Sequence, residues 1–148
     1  MRKTFILGLA VCLVIGFAAC KKGGESASYA ALGKYAEVGP VLDKFISANE
    51  DFAGALEKAA SADDVAAAMN AVTAKMEDLA PKMKAIGQKF PEFQNQSEPP
   101  TELKPFMTRL ETVMSKMMGS FGKIAPYMQD PKVLAAQEKY NKVMEAMK

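Results

Sequence analysis

The chain has 148 residues, 49% apolar and 24% charged, which is the size and composition of one globular domain, too apolar for a disordered chain and too charged for a polytopic membrane protein. Its formal charge of +2 comes from Arg2 and Lys3, because from Cys20 onward seventeen Lys and Arg face seventeen Asp and Glu; an interleaved, neutral domain has no means of capturing a polyanion, so no nucleic-acid partner is assigned. Histidine is absent, which removes the usual general base and the commonest metal and haem ligand.

Residues 1–19 read as a signal peptide: Met-Arg-Lys, the apolar run Phe5 to Phe17, and small Ala18-Ala19 before Cys20 follow the charged, apolar, small-residue order of a secretory leader. From Phe5 to Ala19 there are fifteen residues, short of the roughly 17–25 that span a bilayer. Phe17-Ala18-Ala19-Cys20 resembles the lipobox of bacterial lipoproteins, with Phe17 where that family usually has Leu. The resemblance implies cleavage before Cys20 and its acylation, a membrane partner through the lipid anchor, and, since Lys21 rather than Asp follows, the periplasmic face of the outer membrane. Several acyl chains would make that attachment effectively permanent. Residues 20–28 then form a short tether. Cys12 lies in the leader, so the mature chain has no pair for an internal disulfide.

The folded part, residues 29–148, is predicted to be all-α, an antiparallel up-down-up-down four-helix bundle. The first helix covers 29–58 with a break at 39–40, since a residue before proline avoids the helical region; its seam is Val38, Leu42, Phe45, Asn49, Phe52 and Leu56. The second, 62–89, is capped by Ser61 with Asp64 three residues on and carries Val65, Met69, Val72, Met76, Leu79, Met83, Ile86 and Phe90. The third, 101–128, starts at a Thr101 cap and carries Leu103, Met107, Leu110, Met114, Met117, Phe121, Ile124 and Met128. The fourth, 131–147, follows the Asp130-Pro131 start signal, with Val133, Ala136, Tyr140, Val143 and Met147 as its seam. Connections near 59–61 and 128–130 are short enough to make the helices they join antiparallel neighbours.

At about 1.5 Å per residue the two middle helices would exceed the outer two by roughly 12–15 Å. The uncovered apolar end would carry Met83, Ile86, Phe90, Leu103, Phe106 and Met107. Either residues 27–38 and the Phe93 loop cover it, or it is a partner groove.

The segments Glu57 to Val65 and Ser97-Glu98-Pro99-Pro100-Thr101-Glu102-Leu103 resemble the first turn and the proline-bearing middle loop of the small periplasmic b-type cytochromes. That resemblance implies the bundle fold over residues 40–148. Haem ligation in the family's manner, by Met on the first helix and His on the last, is excluded: residues 26–58 have no Met, the chain has no His, and the nearest positions are Ile46 and Met144. The resemblance thus implies a haemless relative.

Ten methionines follow Cys20, seven of them on the two long seams, where Met is an adaptable filler. Met114, Met117 and Met118 are the candidates for a soft metal, since thioethers bind Cu(I). Asn49 within an apolar seam reads as a register-fixing residue or a ligand mark. No carboxylate, Lys or Tyr pair is arranged for acid–base work, so no catalytic residue, metal or cofactor is assigned. The expected function is that of a non-enzymatic envelope lipoprotein, a binding or structural module meeting a protein or lipidic partner through a helical surface or the apolar groove. The alternative is a carrier or sensor of a small cofactor or soft metal in the bundle core.

Overall fold

The computed structural model describes residues 29–95 and 100–146; the expected signal peptide 1–19, the expected lipidation site Cys20, the expected tether 20–28 and the seam residue Met147 lie outside the described residues. Every regular element within them is helical. Four long helices carry the fold: α1 (Gly39–Lys58), α2 (Ala62–Lys89), α3 (Lys104–Ile124) and α4 (Pro131–Ala146).

The break at 39–40 is the start of α1. Pro40 lies in the first turn, where its missing N–H costs nothing and its fixed φ suits a helix. Before it, a 3-10 turn spans Gly33–Tyr35 and begins at Gly33 with φ +56°, a left-handed conformation that favours glycine. Gly39 is needed for a different reason: a Cβ there would collide with the Tyr29 ring and the Leu32 side chain, so its absence lets the 29–38 segment lie against the helix.

At the head of α2 the Ser61 hydroxyl accepts the Asp64 N–H at 3.2 Å, and the Asp64 carboxylate accepts the Ala60 N–H at 3.0 Å. Two orphan donors are satisfied reciprocally. At the head of α4 the Asp130 carboxylate accepts the Lys132 N–H at 2.8 Å. The Thr101 cap is not made: residues Thr101–Leu103 form a 3-10 turn and α3 starts at Lys104 without a side-chain cap. Pro105 explains this, since a proline in the first turn leaves one donor fewer to satisfy. At the other end a second 3-10 turn, Ala125–Tyr127, contains Pro126, which cannot donate back to Gly122. Helix α3 therefore has 21 residues against the 28 of α2, about 31 Å against 42 Å, and the expected equality of the two middle helices fails.

Helix α2 packs against both α1 and α4, and α1 packs against α3. Lys75 reaches Asp51 at 2.6 Å and Lys89 pairs with Glu37, two residues before α1, so α1 and α2 run in opposite directions, as their short connection demands. Arg109 meets Asp43 and Glu50, and Lys123 donates to the Glu57 carbonyl, so partners on α1 and α3 ascend together. The pair α3 and α4 is not packed along its length, contrary to the expectation from their short connection. Their buried strips are already engaged, that of α3 by α1 and that of α4 by α2.

The main core gathers Phe52, Leu56, Val65, Met76, Ile124 and Val133, with Met83, Met117, Tyr140 and Met144 packed around it. All eight α2 seam residues are buried or half-buried.

Candidate functional site

The six residues expected to line an apolar groove are divided and covered. Phe90 and Leu103 are buried with Leu32, Tyr35 and Val38, and Ile86, Phe93 and Phe106 pack around them. The Tyr35 ring lies 5.4 Å from that of Phe90 and 5.3 Å from that of Phe93, and its hydroxyl donates to Glu92 at 3.1 Å. Lys34 binds the same carboxylate at 2.8 Å, and this hydrogen bond holds the Glu92 carboxyl below the usual carboxylate range. Met83 joins the main core instead, and Met107 is half-buried. The open groove is thus corrected to its alternative: the 29–38 segment and Phe93 close the apolar end, because Leu32, Tyr35 and Val38 supply the missing apolar partners.

The exposed apolar surface lies elsewhere, on α3. Its buried strip contains Leu103, Val113, Ser120 and Ile124, with Phe106, Leu110 and Met117 half-buried. The sequence seam placed Met114 and Phe121 inside, yet Val113 is 2% exposed while Met114 is 56%, Phe121 48% and Met118 67% exposed. Ser120 takes the place expected for Phe121, and its hydroxyl is satisfied by the Lys116 carbonyl at 3.2 Å. The two registers share Leu103, Leu110, Met117 and Ile124; they differ in which neighbour accompanies them at each turn. With α1 on one side and, among the described residues, no helix packed along the other, the register facing α1 is buried. Leu134 of α4, 45% exposed, is a further large apolar side chain at the surface. The pairs Phe106-Met107, Val113-Met114 and Met117-Met118 were the available signal: an apolar arc two residues wide at each turn exceeds what one neighbouring helix covers.

Charge is uneven around this helix. Helix α3 carries Lys104, Arg109, Lys116 and Lys123 against Glu111 alone, whereas acidic and basic residues balance from Cys20 onward. Partial burial opposes the Arg109 charge, but hydrogen bonds from its guanidinium to Asp43 and Glu50 outweigh that and raise its pKa. Tyr29 also donates to Asp43, and Tyr29, Leu32, Asp43, Pro105, Phe106 and Arg109 line an open cleft of about 320 Å³.

The remaining candidates are explained locally. Met117 packs inward while Met114 and Met118 face outward, so the three thioethers do not converge. The buried Asn49 donates from Nδ2 to the Phe45 carbonyl of its own helix at 2.8 Å; a bond within one helix cannot fix register between two, which corrects that expectation. Ile46 is buried against Ala53 and Val113, and Met144 packs at the edge of the main core. Among the described residues no group of three His, Cys, Asp or Glu is placed to hold a metal ion, and no helix is long and apolar enough to cross a membrane. Comparison with protein-family models, curated proteins and solved structures finds no match to this chain.

Proposed function

We propose that the chain is a lipid-anchored protein of the cell envelope, acylated at Cys20, whose up-down-up-down four-helix bundle works by contact rather than by catalysis. The observation that carries this reading is the stripe Met114, Met118 and Phe121 on one side of α3, three large apolar side chains left exposed. Leaving such side chains about half exposed forgoes a good part of the roughly 1.5–3 kcal/mol that full burial of each would contribute, and contiguous apolar patches mark contact sites on soluble domains. Methionine suits an adaptable surface, being unbranched and polarizable. The leader and Cys20 support the anchor, and residues 21–28 would hold the domain close to the bilayer. The periplasmic face of the outer membrane is the assigned location, from Lys21 after the cysteine.

Two measurements test the reading. Metabolic acyl labelling should be lost in Cys20→Ala, with precursor accumulating or protein released; unchanged labelling would refute the anchor. A photo-crosslinking residue at Met118 in intact cells should trap an envelope component, and the same residue at Ala74, exposed on α2, should not. Equal yields at both positions would refute contact through α3.

A further inference from the structure

We infer that Met114 and Met118 form an oxidation site, at which a hydroperoxide converts both thioethers to sulfoxides and turns the exposed stripe of α3 polar while the fold stays intact. The inference rests on the reading of that stripe as a contact surface and names what regulates it. In each step the sulfur lone pair takes the outer oxygen of the hydroperoxide as the O–O bond breaks, and the other oxygen leaves with the proton as an alcohol, or as water from hydrogen peroxide. The sulfur loses two electrons and the hydroperoxide gains them.

The chain concentrates its oxidisable side chains. It contains no His and no Trp, and its two cysteines are Cys12 and Cys20, the first in the expected leader and the second with its thiol consumed by the expected acylation. A two-electron oxidant therefore meets methionine first. With Met1 and Met147 outside the described residues, nine methionines are described, of which Met69 and Met76 are buried and five more are half-buried. Among the nine, Met114 and Met118 alone are exposed, at 56% and 67%. On the envelope reading the domain faces an oxidising compartment, so these are the two thioethers that a diffusing hydroperoxide reaches.

Helix α3 presents the pair together. Residues four apart stand one above the other on a helix, about 6 Å along its axis, so the two thioethers share one face. The neighbours of Met118 one turn away are the small residues Ser115 and Gly122, and Gly119 follows it. A Cβ at Gly119 or Gly122 would meet nothing within 4 Å. Interior helical glycine is unfavourable relative to alanine, and packing within the chain does not require it here; its effect is to leave Met118 unshielded on that side.

Position also separates a switch from damage. Oxidation makes a flexible apolar side chain polar. The buried side of α3 consists of Val113, Ser120 and Ile124 and includes neither methionine, so the two sulfoxides remove no core contact. The same change at Met76 would force a polar oxygen into the core beside Leu56 and Val65, where it would lack a partner. Reduction restores the stripe: a dithiol removes the oxygen as water and becomes a disulfide, and an exposed sulfoxide is open to the reductases that use such a donor.

The test treats isolated membranes carrying the full chain with hydrogen peroxide and maps the digested chain by mass spectrometry. Met114 and Met118 should gain oxygen at least about tenfold faster than Met69 and Met76, whose sulfurs are reached only when the fold opens, and ahead of the five half-buried methionines. The doubly oxidised chain should keep its circular dichroism and its urea midpoint. A photo-crosslinking residue at Phe121, itself exposed, leaves both methionines in place; its yield should be lost on oxidation and return after treatment with sulfoxide reductases and dithiothreitol. Met114→Leu with Met118→Leu should keep the yield under peroxide, and Met114→Gln with Met118→Gln should lack it without peroxide. Oxidation spread evenly over the nine methionines, or unfolding in step with the first two, would overturn the site. A yield at Phe121 unaffected by double oxidation would overturn the regulation. No yield at Phe121 even before peroxide would refute the contact reading and the regulation with it, while the oxidation map would still decide the site.

Discussion

The Tyr127 hydroxyl donates to the Ala60 carbonyl at 2.7 Å, joining the turn between α3 and α4 to the turn between α1 and α2. Since α3 and α4 are not packed along their lengths, this bond and the Lys132–Asp63 ion pair at 2.5 Å clasp the connection end of the fold. Tyr127→Phe keeps the ring and removes only the bond. It should lower stability by about 0.5–1.5 kcal/mol, read as a lower urea midpoint with the slope unchanged.

The α2 start should be sensitive to both sequence and pH. Ser61→Ala removes the acceptor for the Asp64 N–H and should cost about 1 kcal/mol. The Asp64 carboxyl is held below its ordinary pKa, chiefly by the Ala60 N–H and then by the Ser61 hydroxyl. With the folded pKa depressed, its contribution is complete above the unfolded value and disappears as pH falls through the folded one. Urea midpoints of the wild type should therefore fall more steeply below about pH 4 than those of Asp64→Asn; identical profiles would contradict the cap.

Ile124 and Met118 lie on one helix and should respond oppositely to truncation. Ile124 is fully buried, so Ile124→Ala should cost about 2–5 kcal/mol. Met118→Ala should change stability by less than about 0.5 kcal/mol. Comparable losses in equilibrium unfolding would mean that the two faces of α3 are assigned wrongly.

Removing the cover of the apolar end should expose what it hides. Tyr35 is buried between Phe90 and Phe93, and Tyr35→Ala should cost about 3 kcal/mol. The variant should also bind an apolar dye, since Phe90 and Leu103 lose their lid. Wild-type levels of dye binding would contradict the covering role of residues 29–38.

Gly119→Ala should stabilise the fold. The added methyl meets nothing within 4 Å, so the gain is that of alanine over glycine in a helix, about 0.5–1 kcal/mol, seen as a melting temperature a few degrees higher. A lower melting temperature would mean that the position is packed.

Helix α2 was legible in full because its eight apolar seam positions leave one face to bury, and Ser61 and Asp130 were legible as caps because each side chain bonds a backbone N–H within three residues. Thr101 misled because Pro105, four residues on, resets where the helix begins. The α3 face misled for a different reason. Val113 and Met114 are adjacent and both apolar, and either register of the helix gives an unbroken seam.

What the sequence determined by itself is local or periodic: the helices, two of their caps, the break before Pro40, the missing histidine and the leader-like pattern of residues 1–19 ahead of Cys20. These depend on residues a few positions apart, whose geometry the backbone sets. The tertiary structure decided which side of α3 is buried, that α4 packs on α2 rather than along α3, and that Leu32, Tyr35 and Val38 close over Phe90 and Leu103. Each is a choice between partners of similar hydrophobicity, and burial favours whichever apolar face another element can reach. The exposed stripe of α3 is what that competition left uncovered.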